Sequence, residues 1–230
     1  MFYLKELLRG IEITGQKSDV PNLEIKGIET DSRRVKPGFL FVAMKGVSRD
    51  GNMFIADALH KGAVCVISEG SSVSGHNALA LCVEDVKKGL KAILLNAYGD
   101  SIRKKKYIGV TGTNGKTTTT YLIKKLLEEP PACKTGMLGT IGYQMGQRFI
   151  SASHTTPDAL MLARLIESMD EHDITHVVLE VSSHALDQGR VDILDFDVAC
   201  FTNLTHDHLD YHKTMENYFK VKEQLFKSLR

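Results

Sequence analysis

A glycine-containing segment at residues 111–118, Thr-Gly-Thr-Asn-Gly-Lys-Thr-Thr, constrains the fold more than any other part of the chain. An apolar β-type run precedes it at 107–110, and a run typical of a helix follows it at 121–127. A strand, a glycine turn and a helix in this order are typical of a phosphate-binding loop, because Gly112 and Gly115 let the backbone fold closely around an anion. Lys116 can then reach the terminal phosphates, and the Thr117 hydroxyl can bind Mg²⁺. The segment has Val110 where the common pattern has a glycine, so a plain glycine turn before a helix is the alternative.

The order of the apolar runs predicts an α/β protein with two domains. A small mixed α/β domain is predicted for residues 1–100, with strands at 23–28, 39–43, 63–67 and 78–83 and helices at 54–61 and 84–98. The break at Gly99-Asp100-Ser101 predicts a boundary near residue 100. Beyond it, strands at 107–110, 135–141, 175–181 and 196–201 alternate with helices at 117–129, 157–169 and 214–229. This alternation is typical of a mostly parallel sheet with flanking helices, which binds ligands at the carboxyl ends of its strands.

Composition excludes several classes of function. The formal net charge of +1 argues against broad electrostatic binding of nucleic acid, and the basic run at 103–106 is interpreted as a solvated linker or strand edge. No apolar stretch approaches the roughly 20 residues that a transmembrane helix needs, and the charged start of the chain does not resemble a secretory signal. The four cysteines form no Cys-x-x-Cys pair and are expected to be reduced. These features predict a cytoplasmic protein with neither nucleic acid nor membrane as a partner.

Two polar segments follow predicted strands of the second domain. The apolar strand at 175–181 carries Glu180 near its end, where an acid in a phosphate-loop sheet typically holds Mg²⁺. Ser183 and His184 come next, but without a Gly-x-Ser-x-Gly elbow they are weak candidates for a hydrolase pair. The segment 203–212 concentrates three histidines and two aspartates without a zinc spacing. One or two of its members could join Glu180 at a metal ion, and the rest are expected to cap and hydrogen-bond the loop.

Lys222 is unusual because it lies within an apolar stripe of the last predicted helix. A lysine on a buried helix face must extend to solvent, pair with an anion or lose its charge. Extension to solvent is one interpretation. The other is that Lys222 points into the nucleotide site and is paired or chemically converted there.

Together these motifs resemble the Mur ligases, ATP-dependent amide-bond enzymes of bacterial cell-wall synthesis. The resemblance rests on Thr-Asp-Ser-Arg-Arg at 30–34, the loop at 109–118, His-Thr-Thr-Pro-Asp at 154–158, Glu-Val-Ser-Ser-His at 180–184 and the segment 203–212. Their order and spacing span the chain, and a valine before the loop is usual in that family. Within the family the chain is most similar to the member that adds the third amino acid to UDP-N-acetylmuramoyl-L-alanyl-D-glutamate.

The resemblance implies roles for individual residues. The residues implied to bind ATP are Gly112, Thr113, Asn114, Gly115, Lys116, Thr117 and Thr118. Those implied to hold the substrate are Thr30 and Ser32 at its UDP end, and His154, Thr155, Thr156, Ser182, Gln188 and Arg190 at the muramoyl-dipeptide. Thr117, Glu180 and His208 are implied to serve Mg²⁺. Lys222 is implied to carry a carbamate, and Lys116, Glu180, His208 and Lys222 form the implied catalytic set.

The implied reaction is formation of an acyl phosphate from ATP and its attack by the amine of a free amino acid. The family has three domains, so the chain is expected to be a truncated form with the first domain and part of the central one, which binds nucleotide but does not ligate. Exposed apolar faces and sheet edges predict self-association. Two alternatives remain open: another ligase of the same type, such as MurF or a folylpolyglutamate synthetase, and a non-catalytic nucleotide-binding fragment.

Overall fold

The computed structural model describes residues 1–14, 20–46, 50–70, 78–130, 133–152 and 154–230. Contacts within the chain divide it into two units, Met1–Gly99 and Asp100–Arg230. Each unit contains a sheet with parallel strands and helices packed on it, and this confirms the predicted α/β class. Within these described ranges, no helix combines the length and apolar character needed to cross a bilayer.

The first unit is built on a four-stranded parallel sheet. Its elements in chain order are β1 (Phe2–Tyr3), α1 (Leu4–Leu7), β2 (Glu24–Ile25), β3 (Gly27–Glu29), β4 (Phe39–Val42), α2 (Ile55–His60), β5 (Cys65–Glu69), β6 (Leu79–Val83) and α3 (Val86–Arg103). The parallel sheet has the order β3-β4-β5-β6, while β1 and β2 form a separate antiparallel pair. One face of the sheet buries Phe41 and Val66 against Ile55 and Ala58 of α2. The predicted strand at 23–28 is two strands, because β2 pairs with β1 whereas β3 pairs with β4.

The second unit is built on a six-stranded mixed sheet. Its elements are β7 (Lys106–Thr111), α4 (Lys116–Glu128), β8 (Thr135–Leu138), β9 (Tyr143–Met145), β10 (Arg148–Ile150), α5 (Ala159–Ser168), β11 (His176–Glu180), α6 (Ser183–Asp187), β12 (Val198–Phe201), α7 (Leu209–His212) and α8 (Met215–Lys227). The strand order is β10-β9-β8-β11-β7-β12, with β8, β11, β7 and β12 parallel and the β9–β10 hairpin antiparallel.

The register of the parallel strands brings their carboxyl ends to one edge. Glu180 of β11 is level with Val110 of β7, and Phe201 of β12 is level with Thr111. The residues that follow β8, β11, β7 and β12 therefore meet along this edge, although they are far apart in the sequence.

Three local predictions are wrong. The expected break at Gly99-Asp100-Ser101 is helical, because α3 continues to Arg103 and buries Tyr98 and Ile102, which outweighs the helix penalty of one glycine, about 1 kcal/mol. Lys105 of the basic run is not solvated but buried, where its ammonium pairs with Asp170 and donates to the carbonyl of Ser101.

The third error is the strand predicted at 135–141. It ends at Leu138, and the chain then forms the short β9–β10 hairpin. Gly146 occupies the left-handed region at the hairpin turn (φ 59°). Strands of three residues are too short for a clear alternating pattern, so only their pairing defines them.

Candidate nucleotide and substrate site

The phosphate-type loop connects β7 to α4 as its pattern predicts. Gly112 has φ 141° and Gly115 has φ 84°, conformations that residues with a Cβ rarely adopt. A Cβ on Gly112 would lie 2.0 Å from the Thr202 hydroxyl oxygen, so this position has no room for a side chain. Helix α4 begins at Lys116, and the preceding Gly115 offers no side chain to cap it. The first amides of this helix are therefore available to an anion.

The segment that follows β12 closes over the loop. The amides of Thr113 and Asn114 donate to the carbonyl and side-chain oxygen of Asn203, at 2.9 and 3.1 Å. The hydroxyl of Thr202 donates to the carbonyl of Asn114 at 2.6 Å, and the amide of Thr205 donates to the Thr113 hydroxyl at 3.0 Å. These contacts hold the loop in one conformation. They also mean that phosphate could reach the Thr113 and Asn114 amides only by replacing Asn203 as their acceptor.

Two lysines converge on the carbonyl of Gly112. The ammonium of Lys116 donates to it at 2.9 Å and to the carbonyl of Thr113 at 2.7 Å, and the ammonium of Lys222 donates to it at 2.8 Å. Lys222 is 1% exposed, and its ammonium also lies 4.4 Å from the centre of the Tyr218 ring. Burial and the nearby Lys116 charge lower the pKa of Lys222 to about 8. Burial also lowers the pKa of Lys116, while Glu180 opposes that shift.

Glu180 lies buried across from the start of α4. Its carboxylate accepts hydrogen bonds from the Thr117 hydroxyl (2.8 Å) and from the amide of Thr140 (2.8 Å). A Cβ on Gly139 would lie 2.2 Å from Glu180 Oε1, so the absence of a side chain there leaves space for the carboxylate. Thr140 is a site residue that the sequence reasoning missed. The strand predicted at 135–141 contained Thr140, whereas β8 ends at Leu138 and so leaves Thr140 at the carboxyl edge of the sheet.

A second polar group lies beside Glu180 and includes most of the implied substrate residues. The Thr156 hydroxyl donates to the Glu180 carbonyl (2.8 Å), and the Ser182 amide donates to that hydroxyl (3.1 Å). Arg190 donates to the carbonyl of Thr156 (3.0 Å) and grips the side-chain oxygen of Gln188 through two nitrogens (3.0 and 2.7 Å). The guanidinium is thus held in place by two neutral oxygens, and these do not neutralise its positive charge.

Thr155 and His154 lie at the edge of the same group. The Thr155 hydroxyl is 3.1 Å from the hydroxyl of Thr140, and the carbonyl of His154 accepts a hydrogen bond from the Tyr143 hydroxyl (2.8 Å). The structure therefore brings together Thr117, Glu180, Thr155, Thr156, Ser182, Gln188 and Arg190 through a continuous set of contacts.

His208 belongs to a different set of contacts. It is in the left-handed region (φ 52°), and its ring packs edge-on against those of His184 (centroids 4.9 Å apart) and Tyr218 (6.2 Å). The carboxylate of Glu180 accepts hydrogen bonds from Thr117 and Thr140. A direct role of His208 at the metal ion stays a prediction.

Thr30 and Ser32 lie in the first unit, at the end of β3. The amide of Thr30 donates to the carboxylate of Glu29 (3.1 Å), and Ser32 begins a 3₁₀ turn capped by Asp31. Ser32 is buried, and its carbonyl accepts a hydrogen bond from the Lys61 ammonium (3.1 Å). The contact of these residues with a uridine nucleotide stays a prediction.

The donor set at the carboxyl edge suits magnesium rather than a transition metal. In the part of the chain that the structure describes, no three side chains from His, Cys, Asp and Glu cluster as a metal site. Mg²⁺ instead prefers one or two protein oxygens together with phosphate and water. The Thr117 hydroxyl and the Glu180 carboxylate, 2.8 Å apart, match that preference.

Comparison with known proteins places this geometry in a family. Residues 110–230 match the Mur ligase middle domain, and residues 24–98 match the catalytic domain of the Mur ligase family. The chain is 43% identical over 224 residues to a UDP-N-acetylmuramoyl-L-alanyl-D-glutamate–2,6-diaminopimelate ligase of Fusobacterium nucleatum, covering 97% of this chain and 46% of the relative. It is 46% identical over 210 residues to the ligase of the same name from Geobacillus thermodenitrificans, covering 90% of this chain and 42% of the relative.

A solved structure of a UDP-N-acetylmuramoyl-L-alanyl-D-glutamate–2,6-diaminopimelate ligase has the same fold. It aligns with a TM-score of 0.79 and 34% identity, over 100% of this chain and 46% of the other. The chain therefore spans somewhat less than half the length of these relatives. The middle-domain match covers more than half of this chain, and the catalytic-domain match covers most of the remaining residues, so the chain belongs to the Mur ligase family.

Proposed function

We propose that this chain carries the nucleotide-binding machinery of an ATP-dependent ligase that joins 2,6-diaminopimelate to UDP-N-acetylmuramoyl-L-alanyl-D-glutamate. The names of its relatives suggest both substrates. The observation that carries the proposal is the meeting of Lys116, Lys222 and the Thr117–Glu180 pair around one loop at the carboxyl edge of the sheet.

The loop is the ATP site in this proposal. The amides at the start of α4 would bind the phosphates, and Lys116 would turn from the Gly112 and Thr113 carbonyls toward the β- and γ-phosphates. That turn exchanges two neutral acceptors for an anionic one, which strengthens the hydrogen bonds of the ammonium. Phosphate oxygens are thus stronger acceptors for the Lys116 ammonium than the carbonyls of Gly112 and Thr113.

Thr117 and Glu180 would hold Mg²⁺, which when bound neutralises charge on the phosphate oxygens. Their hydroxyl and carboxylate supply hard oxygens at the correct edge of the sheet. Thr140 would keep the Glu180 carboxylate oriented through its backbone amide.

The group around Thr156 would hold the muramoyl-dipeptide. Arg190 offers a fixed positive charge for a substrate carboxylate, and the hydroxyls of Thr155 and Ser182 offer further hydrogen bonds. Thr30 and Ser32 would contact the UDP end from the first unit. The position of this group beside Glu180 supports attack of the substrate carboxylate on the γ-phosphate, since alignment of the two reacting groups supplies much of the rate enhancement.

Lys222 is proposed to be carbamylated. Its lowered pKa gives a larger fraction of neutral amine at physiological pH, and only the neutral amine can attack CO₂. The ammonium first loses one proton, the neutral nitrogen then bonds to the carbon of CO₂ as one C=O π bond opens onto its oxygen, and the nitrogen releases a second proton. The two deprotonations together replace a buried cation with an anion. Lys116 lies on the same carbonyl and would then be its counter-ion instead of a like charge.

Titration calorimetry with Mg²⁺ and ADP tests the nucleotide part of this proposal. We expect the 230-residue chain to bind ADP and the Lys116→Met variant to bind it at least about tenfold more weakly, from the loss of a charge-assisted contact. Lys125→Met is the matched control, because Lys125 lies on the same helix with its side chain 57% exposed. Equal affinity in all three proteins, or no binding by any of them, contradicts the proposal.

The substrate part is tested by the shift in melting temperature with each UDP-sugar peptide. We expect UDP-N-acetylmuramoyl-L-alanyl-D-glutamate to stabilise the chain and the corresponding tripeptide nucleotide to stabilise it less. A larger shift with the tripeptide nucleotide would instead favour the ligase of the following step.

A further inference from the structure

Behind the loop, four buried side chains form a continuous path from α6 to Lys222. The Ser183 hydroxyl is 2.9 Å from Nε2 of His212. The His212 ring packs on that of Tyr218 with centroids 5.1 Å apart and planes tilted by 31°. The Tyr218 ring in turn carries the Lys222 ammonium at 4.4 Å from its centre. None of these four side chains is more than 6% exposed.

The Tyr218 hydroxyl adds a link to the loop itself. It lies 3.3 Å from the hydroxyl of Thr113, which also receives the amide of Thr205. Tyr218 therefore touches both the phosphate loop and the lysine that points into it. The Tyr218 ring is buried in contact with the His212 ring, so in a close-packed interior a change at one ring is expected to alter the packing of the other.

We propose that Tyr218 and His212 are positioning residues for Lys222. In the lysine before carbamylation, Tyr218 holds the ammonium against the loop with its ring, and His212, anchored by Ser183, fixes the orientation of that ring. The inference rests on the proposed function and deepens it, because side-chain contacts link Ser183, in the first turn of α6, to Lys222 through His212 and Tyr218. Its geometry can nevertheless be tested without any nucleotide.

Three features of the path support this assignment over simple core packing. An aliphatic core residue could also fill the position of Tyr218, yet would provide neither an electron-rich face for an ammonium nor a hydroxyl for Thr113. An imidazole is costly to bury without a partner, and His212 has one in Ser183. Among the residues that the structure describes, the Gly112 carbonyl is the single hydrogen-bond acceptor of the Lys222 ammonium, so the direction of that side chain depends also on the ring it lies over.

Proton–carbon NMR of the 230-residue chain with ¹³C-labelled lysine, in buffer depleted of CO₂ so that Lys222 stays unmodified, measures this position directly. A nucleus above an aromatic face is displaced upfield, and the Lys222 ε-methylene signal can be assigned by its loss in Lys222→Arg. We expect the signal upfield of the exposed lysines, retained in Tyr218→Phe and returned to the ordinary lysine region in Tyr218→Leu. An unshifted signal in the unsubstituted protein overturns the proposal without any variant.

The role of His212 is tested by His212→Leu, with Ser183→Ala as a milder change of the same link. We expect both variants to move the Lys222 signal from its upfield position back toward the ordinary lysine region, Ser183→Ala by the smaller amount, in proteins whose circular dichroism is unchanged. An unmoved Lys222 signal in both variants refutes the role of His212. Tyr121→Leu is the matched control: Lys125 lies 5.8 Å from that exposed ring, so only the Lys125 signal is expected to move.

ADP titration of the same samples separates the two proposals. A protein with a displaced Lys222 signal that binds no ADP contradicts the proposed function and keeps the positioning role. A protein that binds ADP with an undisplaced Lys222 signal contradicts only the positioning role.

Discussion

Replacing Lys222 with methionine is expected to stabilise the protein at neutral pH. The side chain is 1% exposed, and burial together with the neighbouring Lys116 lowers its pKa from 10.5 to about 8. At about 1.4 kcal/mol for each pH unit, this difference corresponds to about 3 kcal/mol of unfavourable free energy for holding the charged form in the native state. Methionine has a similar length and carries no charge, and the Gly112 carbonyl keeps Lys116 as a donor after the substitution.

The pH dependence has a definite sign. The unfolded chain keeps the Lys222 proton up to about pH 10.5, whereas the native protein releases it near pH 8. Between these values the unfolded state binds more protons, so the free energy of unfolding rises with pH in the unsubstituted protein. The penalty is fully present below pH 8, and the advantage of Lys222→Met should therefore be largest at pH 7 and shrink toward zero near pH 10.5.

Urea denaturation followed by circular dichroism, in buffers depleted of CO₂, measures the difference between the two proteins at each pH. We expect Lys222→Met to be more stable by about 1–3 kcal/mol at pH 7, the upper value being that of the pKa difference alone. Lys220→Met is the control, because Lys220 lies on the same helix but is exposed and paired with Glu216. Parallel stability curves for Lys222→Met and the unsubstituted protein over pH 7–10 would refute the reasoning.

Three further outcomes are expected. Gly112→Ala should destabilise the chain by roughly 2–4 kcal/mol in urea denaturation, because its φ of 141° and the Thr202 hydroxyl leave no place for a Cβ. Gly146→Ala, at φ 59° in open space, should cost about 1 kcal/mol, and an equal cost at both sites would contradict this explanation. Asp170→Ala should destabilise by about 3 kcal/mol at pH 7 by leaving the buried Lys105 ammonium without its counter-ion. Burial raises the pKa of Asp170, but the hydrogen bonds from Lys105 and Ser101 lower it overall. The difference in unfolding free energy between Asp170→Ala and the unsubstituted protein should therefore vanish as pH falls through the lowered pKa and the carboxylate becomes protonated. Phe219→Glu should reduce self-association in sedimentation velocity, since Phe219 is 47% exposed beside the edge strand of the sheet, and an unchanged oligomer distribution would exclude this face.

The loop and the strand-end acid could be predicted because their signals are local. Gly112 and Gly115 adopt positive φ angles that glycine favours, so the turn can be predicted from these residues alone. The apolar run ending at Glu180 likewise predicts a buried strand. Lys222 was recognisable as a cation within an apolar stripe, and it is buried as the second interpretation requires. The apolar stripe divides on folding: Tyr218 and Leu225 are buried and Met215 is half-buried, while three further members are exposed, namely Phe219, Phe226 and Leu229.

What sequence reasoning missed depends on partners far along the chain. Lys105 looked solvated because Asp170, which makes its burial possible, lies 65 positions away. Asn203 belongs to the segment 203–212, for which capping and loop hydrogen bonds are expected, but its partner is not predicted: its side chain accepts from the amide of Asn114, 89 positions earlier. Gly99 looked like a helix breaker because the packing of Tyr98 and Ile102 cannot be read from neighbouring residues.

The clamp formed by Thr202 and Asn203 on the loop has a consequence for biosynthesis. A nascent chain that has emerged only as far as α4 contains every residue of the glycine motif but neither Thr202, which donates to the Asn114 carbonyl, nor Asn203, which accepts from the Asn114 amide. Competence to bind phosphate should therefore arise late in translation, once β12 has paired beside β7. Nucleotide would then stabilise the second unit once its sheet is complete, and not a ribosome-bound chain that ends after α4.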